Sequence, residues 1–143
     1  MEPVTATRIG GAVLVLAAGA IHVWLYFDFF HRVHVIGVLF LANAAVATVI
    51  GAGLLLSGNP WLLATGIAYA VATLTAFFVS VYHGLFGYVE SLSGRWQLAA
   101  GGVEIATIVV LAPALVLTLR GSARRVHGNA MRRDTKTTCA GAS

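Results

Sequence analysis

Charge is scarce in this chain. Lys, Arg, Asp and Glu make up 10% of its 143 residues, where a soluble domain carries about 25%. Hydrophobic residues reach 59% against about 45–50% in soluble domains, so a soluble globular domain is excluded. Cysteine is nearly absent. Cys139 is the only one in the chain, which rules out an internal disulfide, a CxxC redox pair and a cysteine-built zinc site. Catalytic signatures are missing too: no phosphate loop, dinucleotide fingerprint, HExxH pair or nucleophile–base motif can be read. Enzyme activity is therefore the least supported class, and this length accommodates one domain without a separate catalytic module.

Four long apolar runs fill most of the chain. Residues 1–8 form a short polar leader, and the first run covers 9–30. At ~1.5 Å per residue that run exceeds the ~30 Å hydrocarbon core of a bilayer. Ala18-Gly19-Ala20 resembles a signal-peptide cleavage site. The apolar character continues through Val23 to Phe27, however, and Glu2 accompanies the single Arg8, so a retained span is expected. The second run, 35–56, follows after only four residues, which makes the first two spans an antiparallel hairpin. Ser57-Gly58-Asn59-Pro60 is a turn by its chemistry. The third run is 61–83, opened by Trp61 where an interfacial aromatic belongs. Residues 84–96 form the longest connection, with Tyr88 and Trp96 as anchors, and 97–119 is the fourth run. Pro113 removes a hydrogen bond to the Val109 carbonyl and predicts a kink. The expected fold is thus all-α: an antiparallel, up-down-up-down four-helix transmembrane bundle over residues 1–119. Residues 120–143 are basic and lack apolar periodicity, and they are expected to be a disordered tail lying against anionic headgroups.

Charge asymmetry gives the orientation. With four spans both termini share a side, which then holds Arg8 and Arg120, Arg124, Arg125, Arg132, Arg133 and Lys136, against Arg32 and Arg95 opposite. The positive-inside rule makes both termini cytoplasmic. The tail lacks interleaved aromatics, so nucleic acid is not an expected partner.

The densest polar chemistry lies at Ile21–His34, where His22, His31, His34, Asp28 and Arg32 stand among Trp24, Tyr26, Phe27, Phe29 and Phe30. Ionisable groups inside or at the face of a membrane are functional-site candidates by default. Counted inward at ~1.5 Å per residue, His22, Asn43 and Glu104 share a level roughly 10–12 Å below the outer ends of their spans. Ser80 and Thr75 bracket that level on the third span. Stripes of small and polar residues carry the same implication: Gly11, Val15, Ala18, His22; Asn43, Ala47, Gly51; Gly66, Ala70, Thr73, Ala76, Ser80, His83, Gly87; and Gln97, Gly101, Glu104, Ile108. They should face one another in the bundle interior. A membrane-embedded carboxylate takes up a proton or finds a cation, and His22 at matching depth is expected to touch Glu104 directly, through Asn43 or through one water. The bland account is a layer of interhelical hydrogen bonds with no function.

Sharper accounts compete with that one. The polar layer His22, Asn43, Ser80, Glu104 suits an accessory or small-ligand- or cofactor-binding bundle. A proton- or cation-coupled small transporter working as an oligomer is the alternative. A third is a metal- or haem-binding redox subunit, with His31, His34, His83, Asp28 and Glu90 as outer-face ligand candidates, since imidazoles with carboxylates suit zinc, copper or iron. The partners expected are the lipid bilayer and either further copies of the chain or a larger membrane complex.

Three segments, Gly19–Asp28 (GAIHVWLYFD), Ile36–Ala44 (IGVLFLANA) and Leu85–Glu90 (LFGYVE), carry a resemblance to a family of small bacterial four-span integral membrane proteins with no established activity. The resemblance covers all four spans and stops at the basic tail. It implies a multi-pass protein of the bacterial plasma membrane. Members of that family typically enter the second span through an Ile-Pro-Thr-Ile-Gly type run, replaced here by Val33-His34-Val35-Ile36-Gly37, so His34 inherits no role from it.

Overall fold

A computed structural model of the chain describes residues 2–91 and 94–140, and side chains within 4–91 and 94–124. Four helices follow one another: α1 Glu2–Asp28, α2 His34–Leu56, α3 Pro60–His83 and α4 Arg95–Ala140, with a 3-10 turn at Phe30–Arg32 between the first two. Each contains a stretch long and apolar enough to cross a membrane, with mean hydropathy from 1.9 to 2.2. The protein is an all-α, multi-pass transmembrane bundle.

Two helices run past the apolar runs that define their spans. α1 begins in the polar leader, where Thr7 returns its hydroxyl to the Val4 carbonyl at 3.0 Å. α4 stays helical through the basic segment as far as Ala140, where irregular chain was expected from composition. Arg, Lys and Met are good helix formers as residue types, and no proline follows Pro113. Residues 141–143 of that expected tail lie outside the described residues. α4 passes through Pro113 without a break in the helix.

The α2–α3 turn is built as its sequence demands. Asn59 caps α3, its Oδ1 accepting from the Trp61 amide at 3.0 Å, and Pro60 takes the first helical position, where a missing N–H leaves nothing unsatisfied. We call this end of the bundle inner and the end holding the other two connections outer. At the outer end Phe30 is buried, stacking on Phe40 at 4.3 Å and meeting Tyr88 edge-on at 5.3 Å. The Leu85–Tyr88 turn closes with two backbone hydrogen bonds of 2.7 and 2.9 Å. Its central residues Phe86 and Gly87 both have positive φ, 50° and 81°, a conformation that comes easily to Gly and is strained for Phe.

Small residues set how the helices approach. A Cβ added at Gly19 would stand 2.9 Å from Ala47 Cβ, and one added at Gly51 would stand 2.6 Å from Leu16 Cγ, so α1 and α2 pack at close range. The expected α1 stripe Gly11, Val15, Ala18, His22 is buried throughout. On α2 the buried line is Ala44, Ala47, Gly51, with Asn43 half-buried at its edge. On α4 it is Ala100, Glu104, Thr107, Leu111, while Gln97, Gly101 and Ile108 are half-buried.

The third stripe departs from expectation in its outer half. Gly66, Ala70 and Ser80 are buried and Thr73 half-buried, but Ala76, His83 and Gly87 are exposed. Thr75 is exposed as well and bonds only the Val71 carbonyl, so it takes no part in a buried layer. The reason is the arrangement of helices. α1 packs along α2 and α4, and α4 along α3, whereas α2 and α3 meet sparingly. Near their shared inner turn Gly66 seats against Leu54 and Ile50, and Gly53 against Leu62. Outward of these contacts the two helices part.

Candidate functional site

Between the parted halves of α2 and α3, with α1 and α4 behind, lies a cavity of about 400 Å³. That falls in the lower part of the range for small-molecule sites, roughly 300–1,000 Å³. Its walls are mostly apolar. The polar groups that line it are few and come from every helix: His22, Asn43, Tyr69, Thr73, Ser80 and Glu104, joined by Tyr88, Glu90 and Gln97 at the outer end. The four residues expected to share a layer, His22, Asn43, Ser80 and Glu104, therefore do converge on one space.

His22 is buried, and its Nδ1 lies 2.8 Å from the Ala18 carbonyl oxygen one turn back on α1. A carbonyl only accepts, so Nδ1 is the donor, and in the neutral ring Nε2 is left as an acceptor. The ring packs on Phe40 at 5.1 Å between centroids. Glu104 is 2% exposed. Its carboxyl interacts with the Thr73 hydroxyl across on α3, a neutral group. That hydroxyl also lies 3.0 Å from the Tyr69 carbonyl, which holds the threonine rotamer in place. His22 and Glu104 thus face one cavity with no direct hydrogen bond or ion pair between them among the described residues; of the contacts expected, direct, through Asn43 or through one water, the direct one is absent.

Tyr69 is the residue the sequence pattern passed over. It is 8% exposed, and its buried hydroxyl has no hydrogen-bond partner. The Asn43 side chain interacts with the phenol from across the cavity, yet no hydrogen bond of good geometry forms between them. A signal was present in the sequence. Tyrosines of membrane spans concentrate at the interfaces, and Tyr69 sits in the middle of α3.

The outer-face candidates separate. Asp28, His31, His34 and His83 are all exposed, and His31 turns back to the Tyr26 carbonyl at 3.2 Å. Among the described residues no three of His, Cys, Asp and Glu gather into a metal-binding group. Glu90 belongs instead to the cavity wall, where its Oε1 accepts from the Ser91 amide at 3.0 Å and from Gln97 Nε2 at 3.5 Å. Burial, and then the neighbouring Glu90 carboxylate, push the Tyr88 phenol above the usual tyrosine range.

Fold and cavity together define a four-span membrane bundle with a side-opening polar-based pocket. Comparison of the chain with protein-family models, curated proteins and solved structures finds no match.

Proposed function

We propose that this protein is a membrane-embedded binding bundle that holds a small, lipid-soluble molecule in its outer-half cavity. The observation that carries this is the unpaired Tyr69 hydroxyl on the wall of a cavity that also takes Asn43, Glu104 and His22. A purely structural layer of interhelical bonds would satisfy its own members, because unpaired groups away from water are costly. Here the Tyr69 hydroxyl is left without a hydrogen-bond partner among the described residues, and the His22 ring lines the same space. The surrounding apolar wall suits a hydrocarbon body. In the orientation given by the positive-inside rule the termini are cytoplasmic and the cavity opens in the outer leaflet of a bacterial plasma membrane, in keeping with the family resemblance.

The test is binding of 4-tert-butylphenol, an apolar body with one hydroxyl, to the full chain in lipid nanodiscs. Saturable binding is expected, lost in Ala72→Trp, where an indole grows from an exposed alanine on the cavity wall. Binding that is equal in the variant, or no different from empty nanodiscs, overturns the proposal.

A further inference from the structure

The chemistry of the cavity narrows the class of ligand, if the binding proposal above holds. No lysine or arginine lines it, yet two carboxyl groups do, Glu104 at mid-depth and Glu90 at the outer end. Ionisable residues within a membrane are normally paired with an opposite charge. Glu104, nearly wholly buried, has only a neutral hydroxyl for a side-chain partner. His22 does not supply a paired charge: its ring bonds back to the Ala18 carbonyl on its own helix, and among the described residues no ion pair joins it to Glu104. Aromatic rings complete the surroundings: Phe40, Tyr69, Phe77 and Tyr88 all contribute to the wall. Ring faces attract cations, and desolvated cages of them recognise quaternary ammonium groups.

The route to this cavity is also on the surface. Leu39, Ala42 and Val46 of α2 and Ala72 and Ala76 of α3 line the cavity while remaining exposed on the side of the bundle. These positions lie along membrane-spanning helices, so the opening between them faces hydrocarbon rather than an aqueous loop region. A ligand using it must dissolve in the bilayer.

We infer that the cavity takes a lipophilic cation, an amine or quaternary ammonium on an apolar body, from the bilayer through the gap between α2 and α3, with Glu104 as its counter-charge. The carboxylate sits against the ammonium head, the aromatic walls enclose it, and the apolar body lies toward the gap. An anionic headgroup is disfavoured by both carboxyls and finds no basic side chain on the wall.

A pair of isosteres isolates the charge. Phenyltrimethylammonium and tert-butylbenzene have the same shape and differ by one positive charge, so equilibrium binding of both to the full chain in nanodiscs is compared. The cation is expected to bind wild type at least about tenfold more tightly than the hydrocarbon. Glu104→Gln is expected to remove that tenfold advantage, since it deletes the opposite charge while keeping the side chain's shape. Glu104→Asp, which keeps the charge, is expected to retain part of it. Tert-butylbenzene should bind wild type and Glu104→Gln alike, which also establishes that the variant is folded. Ala76→Trp, closing the gap, should weaken both probes. Equal binding of the two isosteres to wild type, or a preference that survives Glu104→Gln, overturns the cation assignment while leaving a neutral ligand in place. Undiminished binding to Ala76→Trp overturns the lateral route. Failure of every probe, 4-tert-butylphenol included, overturns the binding proposal itself.

Discussion

Replacing Tyr69 by phenylalanine removes one oxygen atom and nothing else. In most buried positions that change is destabilising, because it strands the partner of the lost hydroxyl. Here the hydroxyl has no partner to strand. A buried polar group without a hydrogen bond costs about 1–3 kcal/mol, and the ring that carries it keeps its packing against the core that Tyr69 shares with Ala70, Leu63 and Leu111. Tyr69→Phe is therefore expected to stabilise the ligand-free bundle by about 1 kcal/mol or more. The assay is reversible unfolding in mixed detergent micelles, with SDS mole fraction as denaturant and helical circular dichroism as readout. Over the same substitution 4-tert-butylphenol should bind about threefold or more weakly, the loss of one ordinary hydrogen bond. Stability and binding thus move in opposite directions. If Tyr69→Phe instead destabilised the free protein by about 1 kcal/mol, the size of an ordinary net hydrogen bond, the hydroxyl would be bonded to Asn43 and would not await a ligand.

Other substitutions test the frame around the site. Gly37→Ala places a Cβ 2.6 Å from the Phe30 carbonyl oxygen and 3.2 Å from Tyr26 Cε2; because the nearest obstacle is backbone, a loss of about 1–3 kcal/mol is expected in the same unfolding assay. Asn59→Ala removes the cap of α3 and should cost about 1 kcal/mol, with no change in probe binding. His22→Ala and Glu104→Gln, combined, should add within about 0.5 kcal/mol in ligand-free stability, since neither group bonds the other. A larger coupling energy would restore the direct pair that the geometry lacks.

Spans, turns and the level of the polar layer could all be read from the chain before its fold. Hydropathy and turn chemistry act locally, so Ser57–Pro60 and the four apolar runs announce themselves residue by residue. Depth is also local, a count along one helix, which is why His22, Asn43, Ser80 and Glu104 meet in one cavity. Rotation and spacing between helices are not local. The stripe on α3 was legible as a small-residue face, yet nothing in its own sequence says that α2 would part from it above Gly66 and leave Ala76 exposed. The same holds for His22 and Glu104. Equal depth brings two side chains to one level, but whether they touch depends on how far apart their helices stand and on nearer partners such as Ala18 and Thr73. Its position in a loop places Glu90 on the outer face. The turn at Leu85–Tyr88 and the hydrogen bond from the Glu90 amide to the Ser80 carbonyl at 3.2 Å fold it back over the cavity mouth.

The most direct measurement on the central claim is mass spectrometry of the small molecules that leave the membrane with the full chain. Wild type and Ala72→Trp, purified side by side into nanodiscs without added ligand, would be extracted with organic solvent and compared. A lipid-soluble compound present at close to one per chain in wild type and depleted in Ala72→Trp is the expected result, with a basic nitrogen if Glu104 is its counter-charge. Identical extracts from the two proteins, with no compound enriched over nanodiscs lacking the chain, would contradict the account.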